Sequence, residues 1–83
     1  MRTSYSPHSQ ILVMKRRPIK SSTMNSAGYN AGRKILEIEF SSAEVYHYFD
    51  VPKKLFAGLL KAASAGKYFN NYIKGKYQFQ KIS

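Results

Sequence analysis

The 83-residue chain has no cysteine, only four acidic side chains and no long apolar run. Without cysteine there are no disulfides and no thiolate chemistry, which suits a reducing cytosol. The longest apolar stretches, "ILVM" at 11–14 and "LFAGLL" at 55–60, fall far short of the roughly 20 residues a spanning helix needs. "ILVM" is also shorter than the apolar region of a signal peptide, and its basic residues, "KRRP", follow it rather than precede it. These absences point to a soluble, cytoplasmic chain. No glycine-rich phosphate loop of the strand-to-helix kind occurs, and "SAGK" at 64–67 is too short to count as one. The two histidines, His8 and His47, are isolated in the sequence. Glu37 and Glu39 imitate a carboxylate pair, but with no metal-ligand spacing or acid partner they read as a solvated outer strand face. Neither catalysis nor a metal or cofactor is expected.

What is present in quantity is positive charge. Fourteen Lys and Arg against four Asp and Glu give +10, with a sequence pI near 10.0. All four acids, Glu37, Glu39, Glu44 and Asp50, lie in a central segment free of Lys and Arg, with seven basic residues on each side. A charge of this size on one small body attracts polyanions. Hydrophobic content of 43%, with 14% aromatic, is that of a folding chain. A chain of this length buries only about 60% of its unfolded surface, so a single compact domain is the limit.

Residues 1–18 show no helical or strand period and read as a flexible basic arm, with Lys15, Arg16 and Arg17 as a basic knot. The folded domain is expected over residues 19–83. "IKSSTMNSAGY" reads as an extended strand and "NAGR" as a hairpin turn. In "KILEIEF", Leu36, Ile38 and Phe40 alternate with Glu37 and Glu39, as in a strand with one buried face. After the turn "SSAE", "EVYHYFDV" alternates again: Tyr46 and Tyr48 share one face, and Val45, His47 and Phe49 the other. Asp50 suits a helix N-cap or the position before it, with Pro52 in the first turn. Leu55, Phe56, Leu59, Leu60 and Ala63 then recur at helical spacing, "SAG" breaks the helix, and "KYFNNYIK" starts a second one with Lys67, Asn71 and Lys74 on its polar side. Gly75 can cap it, and "YQFQKI" has the pattern of a short closing strand. The expected architecture is α+β: a small antiparallel β-β-β sheet followed by two helices packed on one face.

Basic residues are interleaved with aromatics, as in Lys67-Tyr68, Tyr72-Ile73-Lys74 and Lys76-Tyr77. Cationic side chains contact phosphates, and Tyr or Phe rings stack on unpaired bases. The candidate nucleic-acid-binding residues are therefore Arg33, Lys34, Lys53, Lys54, Lys67, Tyr68, Asn71, Lys74, Lys76 and Tyr77. Tyr46 and Tyr48 are expected beside the apolar bed under the helices, with rings packed and hydroxyls reaching the rim. The rival reading is a protein-interaction or self-association module using a strand edge or the Val45/His47/Phe49 patch.

The chain also resembles a known family. "SSTMNSAGYN", "KILEIEF" and "VYHYFDVPKKLFAGLLKAASAGKYFNNYIKGKY" carry, in order, the Ser pair, Gly-Tyr, the apolar-x-Phe strand, the central Tyr-x-Tyr, the Val-Pro helix start and the Ala-x-Ser-x-Gly-x-Tyr-Phe-Asn segment of the KTSC domain. That family takes its name from the C-terminal region of some lysyl-tRNA synthetases and is also found as free-standing small proteins. One departure is "FSSAEVY", where the family usually has Gly or Asn in the turn before Tyr-x-Tyr. The resemblance brings no catalytic residues, and through its synthetase link it implies RNA as a partner; that no membrane is expected follows from the short apolar runs alone.

Overall fold

The computed structural model describes residues 15–83. Five strands form one sheet in chain order: β1 (Arg16–Pro18), β2 (Met24–Asn30), β3 (Ile35–Phe40), β4 (Val45–Tyr48) and β5 (Phe79–Lys81). Every neighbouring pair is antiparallel. Helices α1 (Lys53–Lys61) and α2 (Ala65–Tyr72) enter between β4 and β5. This is the small α+β architecture that the alternating and helical periods predict, with one strand more at its start.

That extra strand changes the reading of the N-terminal arm. Residues 1–14 lie outside the described residues, but Arg16, Arg17 and Pro18 pair with Gly28, Ala27 and Ser26 as a sheet edge. Two arginines and a proline on an edge discourage further strand pairing. Residues 19–23, expected as the start of the first long strand, instead bend into it: the Ser21 hydroxyl accepts from the Thr23 and Met24 amides.

The register sorts the two faces. Leu36 lies opposite Tyr29 and Tyr48, and Ile38 opposite Ala27 and Tyr46, so these side chains share the helix-facing side. There Met24, Ala27, Leu36, Ile38 and Tyr48 meet Val51, Leu59, Ala65, Phe69 and Ile73 in one core. Each large apolar side chain so buried contributes about 1.5–3 kcal/mol relative to exposure. Tyr29 holds α1 and the residues leading into it, stacking on Phe56 at 5.5 Å and donating its hydroxyl to the Val51 carbonyl. The helices themselves meet where the Tyr68 ring lies over Gly58; a Cβ there would collide with the phenol.

The opposite face carries one polar row across all five strands: Arg16, Gly28, Glu37, His47 and Gln80. Glu37 was expected to be solvated. Instead Glu37 and His47 are both 3% exposed, with His47 Nε2 2.8 Å from Glu37 Oε1 and Arg16 Nε 3.1 Å from Glu37 Oε2. Gly28 permits this row, since a Cβ there would sit 2.6 Å from the Lys15 carbonyl oxygen and 3.1 Å from Arg16 Cγ. Arg16 also reaches Glu39, at 3.6 Å.

Two local expectations change. Asp50 does not cap α1: the cap position is Pro52, without a side-chain bond, and Asp50 takes a left-handed turn conformation at φ 59°. In the β2–β3 turn the Asn30 side chain accepts from the Arg33 amide, and Lys34, rather than Asn30 or Gly32, adopts positive φ. The β3–β4 turn places Ala43 at φ 73°, a backbone state that favours Gly or Asn.

Candidate functional site

On the helix-facing side, β4 and β5 floor a groove of about 490 Å³, within the range of roughly 300–1,000 Å³ common for ligand sites. Its floor is aromatic, because alternation puts Tyr46, Tyr48 and Phe79 on the same side of adjacent strands. The Phe79 centroid lies 5.7 Å from that of Tyr46 and 5.6 Å from that of Tyr48, and the two tyrosine rings stack at 6.4 Å. Phe40 and Phe69 brace this cluster from inside: Phe69 meets Tyr48 edge-on at 5.5 Å, and Phe40 meets Tyr46 edge-on at 5.5 Å. Phe79 stays 59% exposed, which is unusual for so large an apolar ring. Asn70, Lys74 and Gly75 form one wall; Ser41, Ser42 and Glu44 close one end.

A second hollow, of about 340 Å³, adjoins the groove and shares Thr23 and Asn70 with it. Lys20, Ser21, Ser22, Ser64 and Lys67 line it. Ser64 caps α2 by accepting from the Lys67 amide, and Ser21 accepts from two amides. Both hydroxyls are thus held as acceptors and leave their protons free to donate outward. With two lysines beside them, the hollow suits an anion.

Charge in the groove is also one-sided. Glu44 is occupied by Lys81, at 3.0 Å, which holds its carboxyl below the usual range and raises the Lys81 ammonium in turn. Among the described residues, ion pairs involve only Arg16, His47 and Lys81 as cations, leaving Lys74 at the groove and Lys20 and Lys67 at the hollow without an acidic partner. Burial, with a smaller contribution from Tyr46, pushes the Tyr48 hydroxyl up to about 12. No group of three or more metal-ligating side chains occurs among the described residues, and no helix there is long and apolar enough to cross a membrane.

The residues singled out from sequence divide four ways. Lys67 and Lys74 line the hollow and the groove, and Tyr46 and Tyr48 form the groove floor. Arg33, Lys34, Lys53 and Lys54 are exposed at the other end of the sheet, where the Val51 amide bonds to the Lys34 carbonyl and so brings the β2–β3 turn beside the start of α1. Tyr68 and Tyr77 are packing residues, half-buried against the core. Asn71 and Lys76 are exposed but line neither cavity; the amide that does is the neighbouring Asn70. Sequence reasoning missed Asn70, Thr23, Lys20 and Phe79. Only Phe79 left a readable signal, as the alternating aromatic of the closing strand. The outer Val45/His47/Phe49 patch is not an exposed apolar surface, since His47 is buried against Glu37 and the other two are half-buried.

Comparison with known proteins places this geometry in a family. A family model described as the KTSC domain matches residues 20–77. A small protein of Stutzerimonas stutzeri is 41% identical over 70 residues, covering 83% of this chain and 99% of its own length. A lysine–tRNA ligase of Nostoc punctiforme is 39% identical over 64 residues, 77% of this chain but 11% of the ligase. The crystal structure of a KTSC domain protein from Yersinia pestis matches with a TM-score of 0.82 at 37% identity, covering 86% of this chain and all of that one. By motif order, fold and relatives alike, the chain belongs to the KTSC domain family.

Proposed function

We propose that the domain binds single-stranded nucleic acid, RNA in preference to DNA, through phosphate contacts and aromatic stacking. The observation that carries this reading is the continuity of two unlike surfaces: an aromatic groove runs through Thr23 and Asn70 into a hollow with two lysines and outward-donating hydroxyls. Flat rings suit bases, and clustered cations suit the backbone. The net charge of +10 adds sequence-independent attraction, to which Arg33, Lys34, Lys53 and Lys54 contribute from the far end. RNA is favoured because a relative carrying the same domain is a lysine–tRNA ligase, whose substrate is an RNA. A protein partner, docking on a strand edge or on the outer patch, is the weaker alternative, because the outer patch holds the buried His47–Glu37 pair and the β1 edge carries Arg16, Arg17 and Pro18.

The test is fluorescence anisotropy with a labelled single-stranded RNA at increasing salt. If Lys20, Lys67 and Lys74 each meet a phosphate, log affinity falls against log salt with a slope of about 2, from roughly 0.7 per contact. Salt-independent affinity, or no binding at low salt, refutes the proposal.

A further inference from the structure

Resting on that reading, we propose that the aromatic groove seats one unpaired base and that the neighbouring hollow takes its phosphate, so that the domain's ligand unit is a single splayed-out nucleotide. The floor rings touch one another: their planes are inclined by 27°, 37° and 50°, with no parallel slot between any two. A base therefore lies on them, not between them. Phe79 offers the open face for it, while Tyr48 is buried and Tyr46 half-buried beneath.

The walls suit the rest of a nucleotide. Asn70 presents an amide that both donates and accepts, and Thr23 adds a hydroxyl, while the Ser42 hydroxyl is taken up by Glu44 Oε1 at 3.2 Å. The single acid of the groove, Glu44, is neutralised by Lys81 and does not repel a phosphodiester. Across Thr23 and Asn70, Lys20, Lys67 and the donating hydroxyls of Ser21 and Ser64 face the adjoining hollow. A base stacked inside a duplex has no free face to lay on Phe79, so the arrangement selects unpaired strands.

The experiment compares two single strands of equal length and phosphate count on the intact chain, one bearing uracil throughout and one fully abasic. The base-bearing strand is expected to bind about tenfold tighter, as for one base–aromatic stack. Phe79→Leu, which keeps apolar contact with Tyr46 and Tyr48 but lacks a π face, is expected to narrow that gap. Uridine monophosphate is expected to shift the ring proton resonances of Phe79 and Tyr46, and inorganic phosphate is not. Equal, salt-sensitive binding of the two strands, or a gap unchanged in Phe79→Leu, overturns the groove assignment and leaves nucleic-acid binding by charge standing. Failure of both strands to bind at low salt overturns both.

Discussion

Replacing Glu37 with alanine is expected to be among the most damaging single changes to this domain, although the residue touches neither cavity. The carboxylate accepts from His47 Nε2 at 2.8 Å and from Arg16 Nε at 3.1 Å, and it is 3% exposed. Losing it leaves the buried His47 imidazole without its partner, which costs about 1–3 kcal/mol. The Arg16 side chain is 32% exposed and can turn to water, so that half of the network adds only about 0–1 kcal/mol. The total is about 1–4 kcal/mol. A domain this small has a stability of about 4–12 kcal/mol, from roughly 0.05–0.15 per residue. At about 4–8 °C per kcal/mol the melting temperature should fall by roughly 5–30 °C. Urea titration measures the loss, and hydrogen exchange locates it: the β1–β2 amides should exchange faster, because Arg16 ties the edge strand to the row. A cycle with His47→Ala should show a coupling of about 1 kcal/mol or more. A Glu37→Ala protein within about 0.5 kcal/mol of the parent, with zero coupling to His47, refutes the buried network.

Two further outcomes are open to direct measurement. Ala43→Gly should stabilise the domain by about 0.5–1 kcal/mol, since alanine at positive φ costs about 1–2 kcal/mol and glycine returns part of that as unfolded-state entropy; a destabilised variant in urea titration would mean that Ala43 is not left-handed. The raised Tyr48 hydroxyl should ionise near 12 in an ultraviolet absorbance titration. Because its folded value lies above the ordinary value of about 10, the stability it contributes is complete below about pH 10 and is lost as pH rises towards about 12. Tyr48→Phe should remove the last-ionising tyrosine and soften the alkaline loss; an unchanged titration refutes the assignment.

Much of this fold is local in origin and therefore readable along the chain. Period-two alternation in "KILEIEF" and "EVYHYFDV" sets which side chains share a face, and helical spacing from Leu55 to Leu60 sets which stripe packs, because both follow from backbone geometry alone. The small α+β architecture and the family motifs come from the same patterns, as does the excess positive charge. Other features needed the folded chain. Arg16 shows no strand period because a three-residue edge is too short to display one; its place depends on Gly28 being bare and on a carboxylate two strands away. Glu37 looked solvated because alternation reports which face a residue is on, not what covers that face. The groove likewise unites Thr23, Tyr46, Asn70 and Phe79, residues separated by more than twenty positions at each of the first two steps. Such a site is made by strand register and helix placement, long-range pairings that leave no periodic trace in the order of residues.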